Sequence, residues 1–239
     1  MLFNSYSFLL CFLPLVLLCS LLVAHYSGRG ALIWTLFIAS LVFYGWWYPP
    51  YLLILVVSIV VNFGLGKLLE RDGEKQKIFL FLGLAFNLGL LGYYKYADFF
   101  ITNIFWLVNV NHAITAIILP IGISFFTFQQ IAYLMDVYRG IKGRYTFSEY
   151  GLFVSFFPQL IAGPIVHHRE MMPQFSTLAT VNISLRISIG LSLIVFGLFK
   201  KVVLADTIAE FSSPVFEMAD EGMQITLLPA WIAAVGFSL

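Results

Sequence analysis

Leu119–Gly140 reads LPIGISFFTFQQIAYLMDVYRG, and Ser155–Phe175 reads SFFPQLIAGPIVHHREMMPQF. Both stretches carry prolines, glycines, amides and charges within sequence otherwise apolar enough to lie in lipid. Hydrocarbon offers no water to a polar side chain or an interrupted backbone ladder, so such groups persist there only against protein or a wet cavity. The two stretches point to an all-α chain: a polytopic transmembrane helical bundle with re-entrant or broken helices, built around a pathway or a site.

The remaining sequence agrees. Of 239 residues, 61% are hydrophobic and 10% charged, against roughly 25% charged in a soluble domain. Arg29 is the only charged residue between Met1 and Gly66, far too few charges for a water-facing surface. A net charge of +1 says nothing about an anionic partner, and no basic run suggests nucleic acid; the partner expected is the lipid bilayer. Cys11 and Cys19 fall on one expected helix, their α-carbons about 12 Å apart, too far for a disulfide. No basic segment precedes the first apolar run, which therefore reads as a retained span rather than a cleaved signal peptide.

Hydropathy predicts spans near 8–24, 31–47, 51–66, 78–94, 113–137 and 183–204. The segment 99–110 is too short to cross about 30 Å and reads as interfacial. Aromatic residues at 45–51 (GWWYPPY), 93–96 (YYKY) and Trp106 suit headgroup anchors, and Pro49-Pro50 breaks one span from the next. Four basic residues in 67–77 and three in 139–144 place those loops in the cytoplasm and the N-terminus outside. The five carboxylates of 206–222 then form an outer loop, an assignment against which Lys200 and Lys201 pull. Gly64, Gly66, Gly83, Gly89 and Gly92 suit close helix contacts. No repeat, linker or soluble domain interrupts the chain, so residues 1–239 read as part of a single membrane domain.

Within the first stretch, Pro120 either opens a helix at its first turn or lies deeper and kinks it. Gln129, Gln130, Tyr133 and Asp136 share an arc of roughly 120°, with Phe125, Phe128, Ala132 and Met135 opposite. That polar face serves either interhelical hydrogen bonding or the wall of a passage. In the second stretch, Gly151–Val166 is about 24 Å as a straight helix and is interrupted by Pro158 and Pro164, with Gln159 between them. A broken helix with irregular backbone at Gly163-Pro164 follows. His167-His168-Arg169-Glu170 then returns to the membrane surface. Adjacent histidines point about 100° apart on a helix and carry no metal-site spacing, so they read as surface or headgroup contacts. His25 and His112 fall in expected loops. Gln129, Gln130, Asp136, Gln159, Gly163 and Pro164 are the candidate tunnel-lining or site-shaping residues. No catalytic residue and no metal ligand is assigned.

The opening LFNSYSFLLCFLPL and the two quoted blocks resemble the membrane-bound O-acyltransferase family, in its bacterial alginate O-acetylation branch. The resemblance runs through all 239 residues. It implies a partial family fold: helices around a funnel that takes an acyl, in this branch acetyl, group from a cytoplasmic thioester donor. That donor is acetyl-CoA or an acyl carrier protein, acting as co-substrate with no bound cofactor. The implied acceptor is an exported polysaccharide such as alginate, reached through extracytoplasmic acetylation proteins at the bacterial inner membrane. The family's near-invariant histidine lies in a later tryptophan- and arginine-rich block that nothing from Met1 to Leu239 matches, so His167 and His168 do not inherit its role. With the last apolar run, Ile225–Leu239, only about 22 Å long as helix, the expectation is an N-terminal fragment, inactive alone. The competing classes are a transporter or channel module and a non-catalytic assembly subunit. The lack of an inverted repeat and of a paired ion-coupling charge speaks against a transporter.

Overall fold

The computed structural model describes residues 3–71, 73–107, 118–141, 143, 145–161, 163, 168–177 and 183–238. Among these residues all regular structure is helical. In order, the helices are α1 (Leu13–Tyr26), α2 (Gly28–Gly45), α3 (Pro49–Leu69), α4 (Gln76–Leu107), α5 (Ile123–Tyr138), α6 (Phe147–Ser155), α7 (Phe157–Leu160), α8 (His168–Thr177), α9 (Ile183–Leu198), α10 (Asp206–Asp220) and α11 (Leu227–Ser238). A π-helical stretch, Ser7–Phe12, leads into α1, and another, Phe199–Ala205, joins α9 to α10. Five helical runs are long and apolar enough to cross a membrane: Ser7–Tyr26, Gly28–Gly45, Pro49–Leu69, Gln76–Asn103 and Ile187–Asp220. The chain is a multi-pass membrane protein.

Two compact units divide it, Leu10–Thr180 and Val181–Leu239, the latter together with Leu2–Leu9. In the larger unit, α2 packs on α1, α3 and α6, while α5 packs on α3, α4 and α6. Leu55 and Ile59 of α3, Phe126 and Leu134 of α5, and Leu152 and Phe153 of α6 meet in its core. In the smaller unit α10 packs against α11, with Phe216 and Phe237 in edge contact at 5.6 Å.

Local sequence explains most helix starts. Pro49 and Pro50 occupy the first turn of α3, where a missing N–H breaks no bond, so the expected break is also a beginning. Ahead of α5, Gly122 takes φ +74°, a conformation costly for other residues, and the carbonyl of Pro120 accepts a bond from the Ile123 N–H at 3.2 Å. Pro120 therefore neither opens nor kinks the helix but lies just before it. The expected 113–137 span is shorter than predicted, at Ile123–Tyr138; residues 113–117 lie outside the described residues. Thr146 and Glu149 close a capping box at the head of α6.

Close approach needs two of the five glycines singled out above. A Cβ on Gly66 would lie 2.6 Å from the Tyr133 ring, and one on Gly83 2.5 Å from Leu134 Cδ1. Gly64, Gly89 and Gly92 face open space.

Three expectations are corrected. Residues 99–107 are not a separate interfacial segment but the continuation of α4, because no breaker follows Tyr96; 108–110 lie outside the described residues. Residues 206–220 are helical rather than an acidic loop, since α10 packs on α11 with Ser212 and Ala233 buried and Phe216 against Phe237. His25 sits in the last turn of α1 rather than in a loop. Lys201, which pulled against the orientation, holds both carboxylate oxygens of Asp206 at 2.7 Å.

Candidate functional site

The polar arc of α5 faces protein. Gln129, Gln130, Tyr133 and Asp136 are buried, whereas Phe125 and Phe128 on the opposite side are exposed. Gln129 Nε2 donates to the Phe153 carbonyl of α6 at 3.0 Å. Gln130 Nε2 donates to Ser58 Oγ of α3 at 2.9 Å, and its Oε1 accepts from the Tyr150 hydroxyl of α6 at 3.2 Å. In a medium without water these amides satisfy one another's helices, the interhelical role that the arc predicted as one of its alternatives.

The same network continues sideways. Asn62 of α3 and Asn87 of α4, both fully buried, exchange amide hydrogen bonds. Each amide also donates to a carbonyl one turn back, Asn62 to Ser58 at 2.9 Å and Asn87 to Gly83 at 2.7 Å. Four helices are thus threaded by side-chain bonds from Asn87 through Asn62, Ser58 and Gln130 to Tyr150. The sequence reading missed the asparagine pair; two lone polar residues inside apolar spans were its only signal.

At the far end of the arc, the two informative stretches meet. Asp136 Oδ2 of α5 lies 3.4 Å from His168 Nδ1 and 3.6 Å from Arg169 Nε, at the head of α8. His168 is 2% exposed. The rings of Tyr133, Tyr145 and Phe153 stand edge-on to it at 5.5, 6.0 and 6.4 Å. The reading of His168 as a surface or headgroup contact is corrected: the ring is buried beside the Asp136 carboxylate and among three aromatic rings. Arg169, about half exposed, keeps the surface role. Burial and the neighbouring Glu149 carboxylate raise the Tyr145 phenol above its ordinary pKa. Chemically, a carboxylate beside a buried imidazole fixes the ring's orientation. His167 lies outside the described residues.

The second stretch is interrupted as expected, but the break falls at Phe156, two residues ahead of Pro158. Phe156 adopts an extended ψ of 108°, its backbone leaves the helix, and α7 restarts for one turn with Pro158 in its permitted first positions. Gln159, half-buried in α7, accepts from the Gly163 N–H at 2.9 Å through its backbone carbonyl. A Cβ at Gly163 would fall 2.8 Å from the Gln159 Cα and carbonyl oxygen, so the turn requires glycine. Pro164 lies outside the described residues. The structure therefore brings Gln129, Gln130 and Asp136 together on one face of α5, and pairs Gln159 with Gly163.

Near the start of α2, the Arg29 guanidinium pairs through Nη2 with Glu149 and donates from Nε to the Phe175 carbonyl at 2.9 Å. Beside this pair opens a cavity of about 350 Å³, lined by Arg29, Gly30, Ile33, Trp34, Thr146, Phe147, Ser148 and Glu149. Among the described residues no group of three His, Cys, Asp or Glu side chains could hold a metal ion.

Along its full length the chain matches O-acetylating members of the membrane-bound O-acyltransferase family, the group its two blocks resemble. It is 40% identical to the peptidoglycan O-acetyltransferase of Helicobacter pylori, the match taking in all of this chain and 50% of that protein. It is 34% identical to the "probable alginate O-acetylase AlgI" of Pseudomonas aeruginosa, over all of this chain and 45% of the relative. Identity to the protein of the same name from Azotobacter vinelandii is also 34%, over all of this chain and 47% of the relative. The chain spans about half the length of the curated relatives it matches. No family profile and no solved structure matches it.

Proposed function

We propose that this chain is part of a membrane-bound O-acyltransferase that moves an acetyl group from a cytoplasmic thioester donor to a glycan outside the inner membrane of a bacterium. The observation that carries this reading is the match over all of this chain to relatives named peptidoglycan O-acetyltransferase and "probable alginate O-acetylase AlgI". Both named acceptors are hydroxyl-bearing polysaccharides, and the donor class is the one that the resemblance implies: acetyl-CoA or an acyl carrier protein. Extracytoplasmic acetylation proteins pass the group onward, and the N-terminus lies outside.

Within this reading, residues 1–239 are part of one membrane domain and supply scaffold rather than the reacting groups. Gln129, Gln130 and Asp136 hold α5 to α3, α6 and α8, while Gln159, Gly163 and Pro164 shape the interrupted segment beside the acyl path. The His168 imidazole is held by Asp136 among aromatic rings, which suits fixing α8 in place. The conserved chemistry of general-base activation falls to a histidine of the family's later block.

Deleting the gene for the intact protein and quantifying ester-linked acetate on the exported glycan tests the reading. Loss of acetate, restored by the full-length gene, is expected; undiminished acetate refutes it. Acetyl transfer by the purified 239-residue chain alone would overturn the scaffold assignment.

A further inference from the structure

We propose that the cavity between α2 and the head of α6 is a site for one zwitterionic phospholipid, with an ammonium-bearing headgroup such as phosphoethanolamine. Its lining has three chemistries that such a molecule calls on. Arg29 offers a guanidinium whose side chain is 42% exposed, and the contacts it makes engage Nε and Nη2. Its Nη1 N–H groups can therefore take a phosphodiester oxygen, the planar fork suiting that anion. Glu149, its side chain 11% exposed, holds its carboxylate at the edge of the same opening, with Oε1 toward Arg29. Its Oε2 accepts from the Thr146 N–H at 2.8 Å and Oγ1 at 2.9 Å, with Ser148 Oγ beside Thr146 Oγ1. One turn further along α2, Ile33 and Trp34, together with Phe147 at the start of α6, provide an apolar wall for the start of an acyl chain. Trp34 is 46% exposed, and its ring has the half-apolar character that favours the headgroup boundary.

Charge decides the headgroup class. Arg29 is the only charge in the first 66 residues, and Glu149 neutralises it. The site's own charge is thus near zero. A net-negative headgroup would gain one cation and meet one carboxylate, whereas a phosphate linked to an ammonium is matched at both ends. The volume, about 350 Å³, takes a headgroup and the first methylenes, not a whole lipid.

Gly30 provides a clean probe. Gly30 lines the cavity and a Cβ there meets nothing within 4 Å, so a larger side chain has room to begin entering that space. The chain is purified in detergent with phosphatidylethanolamine or phosphatidylglycerol, and retained lipid is counted by native mass spectrometry. The wild-type chain is expected to retain one phosphatidylethanolamine in preference to phosphatidylglycerol. Gly30→Trp should lose it with unchanged helix content, and Arg29→Gln should weaken retention about tenfold to a hundredfold, the loss expected for charged hydrogen bonds. Water-soluble O-phosphoethanolamine should fail to displace the lipid, because the apolar wall contributes. Equal retention of phosphatidylglycerol, unchanged retention in Gly30→Trp, displacement by the soluble headgroup, or no retained lipid at all each overturns the proposal.

Discussion

Asp136 and His168 are 32 positions apart in sequence, yet Asp136 Oδ2 stands 3.4 Å from His168 Nδ1 in a pocket closed by aromatic rings. This pair ties the end of α5 to the head of α8, and so joins the two polar-interrupted stretches at one point. Asp136→Ala leaves a buried imidazole without its carboxylate. Thermal unfolding in detergent should show a loss of about 1–3 kcal/mol, and limited proteolysis should cut faster within 163–177. An unaltered digestion pattern would show that α8 is docked by other contacts.

The Gln130 amide bridges Ser58 and Tyr150. Gln130→Leu should cost about 0.6–2 kcal/mol, the range of interhelical bonds in membranes. Paired with Tyr150→Phe, the two losses should fall short of adding by at least about 0.5 kcal/mol, because they share one bond. Strict additivity would mean that Tyr150 and Gln130 act separately.

Neighbouring glycines of α3 should respond oppositely to alanine. Gly66→Ala drives a methyl to 2.6 Å from the Tyr133 ring and should destabilise by about 1–3 kcal/mol. Gly64→Ala enters open space and should be neutral or stabilising by up to about 1 kcal/mol, since alanine is the better helix former. Equal effects in a common unfolding assay would count against the close approach of α3 and α5.

In the full-length protein, Gly163→Ala should lower glycan acetylation severalfold at normal expression, because the new methyl cannot fit over the Gln159 backbone. Gln159→Leu keeps that backbone and removes only the amide. Acetylation unchanged in Gln159→Leu would assign Gln159 to packing; unchanged acetylation in Gly163→Ala would separate this turn from the acyl path.

Hydropathy and helical periodicity made much of this legible. The first four spans, the buried arc at Gln129, Gln130, Tyr133 and Asp136, and the interruption beyond Ser155 all follow from local sequence, because lipid punishes any misplaced polar group. What stayed hidden depends on distant partners. Nothing at Asp136 announces His168, and nothing at Asn62 announces Asn87. The acidic stretch after Ala205 misled because exposed carboxylates along α10 look like a loop until the face at Ser212 and Phe216 has a partner. Breakers at the ends of α5 were visible, but the left-handed turn at Gly122 that sets its first residue was not separable from the proline before it.

The reciprocal bond between Asn62 and Asn87 fixes more than a contact. Turning α4 by one residue, about 100° about its axis, would swing its amide into fatty tails and strand its mate on α3. Sliding by a full turn would carry the two amides about 5 Å apart. Bilayers of different thickness can therefore change how far the two helices lean together, but not which faces they show each other.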